Sequence, residues 1–256
     1  MQTFEELCAH AESVAVNVEN LAKQLQRAAQ AMKRAARDGI PNKIKQAADQ
    51  IDQAARHTKD IESTASLAWP LSDDELTELL SGDYVEQLIE TAKSADVSLN
   101  RMDSCLAAFP VIVHVLPTKR AVRLDNASLA TLRPSVVVKR IRDRMKKPHS
   151  RPEKFIETLY NAYRLVAGEN LERGTTLVEV YNALTLLPDS RSTYGRPEFT
   201  RDVYELDSSD ITQTRRGARM SLPAATGTRS ASDTLSIVPP DGMPKKYYGI
   251  RFEGGS

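Results

Sequence analysis

The sequence predicts a mainly α chain with a small β component: an antiparallel helical hairpin or three-helix bundle over 1–110, a short strand pair and basic helix as connector over 111–151, and an α+β module over 152–256. Three observations carry this expectation. Apolar residues recur at 4-3 spacing through the first segment; the pattern gives way to short β-rich and basic runs after Pro110; and most tyrosines and turn-forming residues gather beyond residue 152.

The first element is the clearest. Leu7, Ala11, Val14, Val18, Leu21, Leu25, Ala28, Met32 and Ala35 form the seam of a helix that packs on another helix, and Thr3 with Glu6 has the spacing of a capping box. Gly39 and Pro41 then supply a stop and a new first turn. Ile40, Ile44, Ala47, Ile51, Ala54, Thr58 and Ile61 repeat the step, so the two helices should fold back as a hairpin. Leu7, Val14, Val18, Leu21, Leu25, Ile44, Ile51 and Ile61 are the expected contacts to another subunit or to a second copy. After a capped short helix at Ser72–Glu75, the spacing of Val85, Leu88, Ala92, Ala95, Leu99, Met102, Leu106 and Phe109 predicts a third long helix that completes a bundle.

Beyond Pro110, "VIVHVLPTKRAVRLDN" reads as a small hairpin. Pro134 then opens a helix whose Val138, Ile141 and Met145 form an inward stripe. In the last segment, three short helices are expected around Phe155–Val166, Thr176–Leu187 and Arg196–Asp207, the second with Thr176 and Glu179 as a capping box. Strand-like runs "ARMSLPA", "TLSIVP" and "YYGIRF" follow, with "PPDGMP" as a turn. Three helices followed by strands resemble a winged helix-turn-helix over about 155–252, and that resemblance implies a winged-helix-like module.

The formal net charge is +1, yet the charge is sharply divided. Residues 1–110 carry 11 basic and 18 acidic side chains, residues 111–151 carry 11 and 2, and residues 152–256 carry 13 and 14. Such asymmetry speaks to partners, because Lys and Arg neutralise phosphates and release counterions. The expected nucleic-acid contacts in the connector are Lys119, Arg120, Arg123, Lys139, Arg140, Arg142, Arg144, Lys146, Lys147 and Arg151. The expected recognition helix around 196–210 instead carries Glu198, Asp202, Glu205, Asp207 and Asp210, which phosphates would repel. The wing is the better candidate in that module, through Arg215, Arg216, Arg219, Arg229, Lys245 and Lys246. Gly227 in "ATGTRSASD" reads as a flexible wing tip rather than a phosphate cradle, and Tyr160, Tyr163, Tyr181 and Tyr204 read as core.

Catalytic motifs are missing from the sequence. It has no GxSxG, HExxH, Walker or dinucleotide fingerprint, and Cys8 and Cys105 are far apart, so neither a metal, a cofactor nor an enzymatic activity is expected. No apolar run approaches a membrane span, which leads to the expectation of a cytoplasmic protein without a membrane partner. The layout predicts a non-catalytic nucleic-acid-binding adaptor, DNA favoured, in a multiprotein DNA-processing or genome-defence assembly. Two alternatives use the same features: a protein-only scaffold that docks an acidic partner through the basic connector, and a stand-alone winged-helix transcription regulator.

Overall fold

The computed structural model describes residues 2–66, 69–102, 104–147, 149, 151–168, 174–187, 190–223, 233–239 and 242–254, the side chains of 58–66 and 192 excepted. The chain is broadly α+β, and its contacts divide it into units 1–87 and 88–256.

In the first unit, α1 (Phe4–Arg37) and α2 (Pro41–Ser66) form the expected hairpin. Thr3 caps α1 reciprocally with Glu6: the Glu6 amide donates to Thr3 Oγ1 at 3.2 Å, and the Thr3 amide donates to Glu6 Oε2 at 2.8 Å. Gly39 makes the turn at φ 65°, a left-handed conformation that costs glycine nothing. Beyond Phe4, the buried residues of α1 recur every seventh position, Leu7, Val14, Leu21, Ala28 and Ala35, opposed on α2 by Ala47 and Ala54. The other half of the predicted seam is left partly open. Phe4 anchors the open end of the hairpin by edge-to-face contacts with Trp69 and Tyr84, at 5.7 and 5.8 Å between ring centres. It is joined there by α3 (Asp73–Ser81), whose Ser72–Glu75 capping box is formed.

The expected third long helix does not form. α4 (Asp83–Ser94) stops because Asp96 turns left-handed at φ 56°, which lets the Val97 amide close on the Ala92 carbonyl at 2.9 Å. Leu99, Met102 and Leu106 keep a helical spacing by coincidence. Leu99 and Met102 instead flank strand β1 (Asn100–Arg101), and Leu106 opens strand β2 (Leu106–Ala108).

Those strands begin a five-stranded antiparallel sheet in the order β1-β2-β3-β4-β5. The predicted hairpin is its centre: β3 (Val111–Leu116) pairs with β4 (Ala121–Leu124), with Val113 opposite Leu124 and Leu116 opposite Ala121. β5 (Ala127–Leu129) closes the sheet, and α5 (Pro134–Met145) packs against β3.

The remaining elements are α6 (Pro152–Ala167), β6 (Thr175–Thr176), α7 (Leu177–Leu184), a short α8 (Ser190–Thr193), α9 (Arg196–Asp207), β7 (Arg219–Ser221), β8 (Leu235–Ile237), β9 (Lys245–Tyr247) and β10 (Gly249–Glu253). β10 lies between β6 and β7 in an antiparallel three-stranded sheet, while β8 and β9 form a separate antiparallel pair. The core is aromatic. Phe199 meets Phe155, Tyr181 and Tyr194, and Phe252 meets Tyr160 and Tyr163. Tyr160, Tyr163 and Tyr181 are buried as the spacing predicts. Among the described residues, no helix is long and apolar enough to cross a membrane.

Candidate nucleic-acid interface

α5 positions the densest run of cations. Pro134 suits its first turn, and Val137, Val138 and Ile141 are buried, which fixes the inward face. At 3.6 residues per turn, Lys139, Arg140 and Arg142 then fall on an exposed arc shared with Asp143, and the exposed Lys146 and Lys147 extend it just past the end of the helix. The Arg142 guanidinium donates to the Ala95 carbonyl, tying one edge of the arc to the end of α4. Arg151 is exposed just before α6, and Lys119 and Arg120 are exposed in the turn between β3 and β4.

Two predicted phosphate contacts face inward. Arg144 places Nε 3.1 Å from Asp125 Oδ2, and Arg123 places Nη2 3.5 Å from Glu198 Oε1. Their charges are answered inside the protein, so the arc on α5 is narrower than the sequence count suggests.

Sequence reasoning missed the network that turns them. Asp125 sits after β4 at φ 52° and bonds Ile112 twice: its amide donates to the Ile112 carbonyl at 2.8 Å, and its Oδ1 accepts the Ile112 amide at 3.1 Å. Arg201 of α9 donates from Nη1 to the same Oδ1 at 2.6 Å, and from Nε and Nη2 to Asp202 Oδ1 at 2.9 and 2.8 Å. Tyr194 donates its hydroxyl to Asp202 Oδ2 at 2.8 Å. Burial pushes the Asp202 carboxyl above its usual range despite Arg201. For Arg201, burial works against the charge, but Asp202 and Asp125 outweigh it and the net shift is upward. His149 stands with Nε2 3.6 Å from Asp125 Oδ2 and its side chain 1% exposed. Burial, opposed by Asp125 and aided by Arg144 and Arg201, holds its pKa down to about 4, so the ring is neutral at pH 7.

A second bridge lies nearby. His114 Nε2 of β3 is 2.7 Å from Glu198 Oε1, while Glu198 Oε2 accepts the Gly195 amide at 3.0 Å at the start of α9. Burial alone would raise the Glu198 carboxyl, but the His114 bond, with Arg123 adding to it, brings it below its usual range.

These bridges change the meaning of α9. Of the five acids expected to repel phosphates, Glu198 and Asp202 are buried, together with Thr200 and Arg201, Glu205 is half-buried, and Asp207 and Asp210 are exposed; Phe109 packs edge-to-face on Tyr204 at 5.2 Å. His114, Asp125 and Phe109, in and beside the five-stranded sheet, meet the buried side of α9. No local sequence signal marks these pairs, since Asp125–Arg201 and His114–Glu198 are 76 and 84 residues apart.

In the β part, Arg215, Arg216 and Arg219 are exposed around a turn in which the Gly217 amide donates to the Thr214 carbonyl at 2.9 Å. Lys246 is exposed; Lys245 is 3.7 Å from Asp207 and 4.9 Å from the Tyr204 ring centre, so part of its charge is met within the chain. Arg229 and the Gly227 turn lie outside the described residues. Of the expected subunit contacts, Leu7, Val14 and Leu21 are used inside the hairpin, Val18, Leu25, Ile44 and Ile51 are partly or wholly exposed, and the Ile61 side chain is outside the described set. Among the described residues, no group of three or more His, Cys, Asp or Glu side chains is placed to hold a metal ion.

In comparison with known proteins, no family model, no curated protein and no solved structure matches this chain.

Proposed function

We propose that this protein is a non-catalytic nucleic-acid-binding adaptor, with DNA as the favoured ligand, in a cytoplasmic multiprotein DNA-processing or genome-defence assembly. One observation carries the reading: α5 and the two residues that follow it present Lys139, Arg140, Arg142, Lys146 and Lys147 as exposed cations while the opposite face of the helix is locked in place. A fixed helix with cations along its outer side meets a phosphate backbone without ordering long loops first.

The C-terminal elements support a winged-helix-like module in this reading. Support comes from the order helix α6, strand β6, helices α7, short α8 and α9, with β10 between β6 and β7 in a three-stranded sheet. The burial of α9 argues against the stand-alone regulator, which needs that helix in the major groove. Contact through α5 and the exposed Arg215, Arg216 and Arg219 leaves sequence unread, as befits a subunit that holds nucleic acid for another protein.

The test is fluorescence anisotropy with several labelled duplexes of unrelated sequence. Affinity should be similar for all of them. It should fall at least tenfold in Lys139→Gln/Arg140→Gln/Lys146→Gln/Lys147→Gln, which leaves the anchored Arg142 and Arg144 intact. Unchanged affinity would assign the arc to an acidic protein surface instead, the protein-only scaffold reading.

A further inference from the structure

The α1/α2 hairpin is covered on one row only. Its inner row repeats every seven residues, and the row four positions further on is only partly covered: Val18 is 42% exposed, and Leu25, Met32, Ile44 and Ile51 are half-buried. Towards the turn, the inner row shrinks to Ala28, Ala35, Ala47 and Ala54. Four buried methyl groups remove too little apolar area to offset the ordering of that stretch of backbone. On the other side of the inner row lies a polar cleft lined by Gln24, Gln50, Gln53 and His57, so the open aliphatic row marks the apolar face.

Charge identifies what covers it. Residues 20–48, the turn end, carry seven Lys or Arg against the single acid Asp38. At the open end, the last part of α2, residues 49–66, carries four acids against Arg56 and Lys59, and residues 2–19 and 69–87 together carry ten acids and no Lys or Arg. Phe4 holds these two segments together through Trp69, Tyr84 and a 2.8 Å bond from its amide to Gln87 Oε1. The heptad row at Glu5, Glu12, Glu19, Gln26 and Lys33 shows the same gradient within one helix. The hairpin is thus a rod with a basic tip and an acidic base.

We propose that two copies of this chain pack their open hairpin faces together in antiparallel fashion, the basic tip of each lying over the acidic base of the other, to form a four-helix bundle. The opposite, parallel arrangement would bring both basic tips to one end and both acidic bases to the other. An unrelated helix could cover the aliphatic row, but the acid-to-base gradient is complemented by the reversed gradient of the same chain. The open face is about 50 Å long and about 16 Å wide, or about 800 Å² per copy, which is the size of a stable interface. This inference rests on the reading of the N-terminal unit as the part that associates, and it is independent of nucleic-acid binding by α5.

Sedimentation of the full chain at micromolar concentration should give twice 28.4 kDa, with dissociation promoted by salt. Leu25→Asp/Ile51→Asp should be monomeric at unchanged helix content. Should that variant unfold, charge reversal at exposed sites gives the answer. Lys33→Glu/Lys45→Glu and Glu12→Lys/Glu19→Lys should each weaken self-association at least tenfold, and a mixture of the two should restore the dimer. Spin labels on Asn42→Cys, in a background with Cys8→Ser and Cys105→Ala, should lie about 50 Å apart, since the tips occupy opposite ends. A monomer, a label distance under about 25 Å, or mixing without restoration would overturn the proposal. A monomer that still binds duplex in the salt-sensitive way described above would remove the dimer and leave the functional reading standing.

Discussion

Replacing Asp125 should loosen the 88–256 unit more than any other single polar change. Its side chain is 7% exposed and serves three groups: the Ile112 amide at 3.1 Å, Arg201 at 2.6 Å and Arg144 at 3.1 Å. In Asp125→Ala, Arg201 keeps Asp202 but loses half of its compensation, and the Ile112 amide is left without its carboxylate acceptor. Breaking one partner out of a buried pair costs about 3–5 kcal/mol, and the left-handed φ of 52° adds about 1 kcal/mol for alanine. Arg144 is 28% exposed and can swing to water, which trims the total, so a loss of about 4 kcal/mol is expected. Asp125→Asn keeps an acceptor for Ile112 and tolerates the left-handed conformation, and should lose about 2 kcal/mol. Urea unfolding followed by near-ultraviolet circular dichroism measures this directly, because seven of the eight tyrosines lie in this unit. A loss below about 1 kcal/mol for Asp125→Ala would refute the reasoning and show that solvent already screens the network.

Acid should weaken the same region through His149. Its pKa of about 4 in the folded chain lies below the ordinary 6.5, so the unfolded chain takes up the proton first; the contribution is complete above pH 6.5 and is lost as pH falls towards 4. The full span is on the order of 3 kcal/mol, and His149→Asn should flatten the slope of urea midpoints between pH 7 and pH 4. Glu198→Gln should cost about 2 kcal/mol by uncoupling His114 and Arg123 from α9, as read by thermal unfolding at pH 7. Because that carboxyl is held below its ordinary pKa, its contribution is present above the ordinary value and disappears as pH falls below it, so the gap between Gln variant and parent should close in strong acid. Thr176→Ala removes the cap from α7, where the Glu179 amide donates to Thr176 Oγ1 at 3.1 Å, and should cost about 1 kcal/mol by the same measurement.

Local features of the fold were legible in the sequence. The capping boxes at Thr3, Ser72 and Thr176 all form, and Gly39 and Pro41 place the hairpin turn where they stand. Each works over three or four residues, and no distant contact competes with it. The spacing predicts a third helix because buried residues of a loop and a strand, Leu99 and Leu106, happen to continue the helical step, and the deciding residue, Asp96, shows no helix-stop signal of its own in the sequence. The basic arc of α5 was legible because it follows from periodicity and one inward stripe. The inward turn of Arg123 and Arg144 was not, since it depends on Asp125 and Glu198 meeting them through tertiary packing. For the same reason the charges of Glu198 and Asp202 on α9 looked solvent-facing: a sequence records their sign, and only the residues packed over them determine whether that sign reaches water.

The most direct test of the central claim is the salt dependence of duplex binding, compared between the parent chain and Lys139→Gln/Arg140→Gln/Lys146→Gln/Lys147→Gln. If the arc touches phosphates, each lost contact lowers the slope of log affinity against log salt by about 0.9, so four contacts should lower it by about 3.6. An unchanged slope, with or without weaker binding, would contradict the account and remove α5 from the nucleic-acid surface.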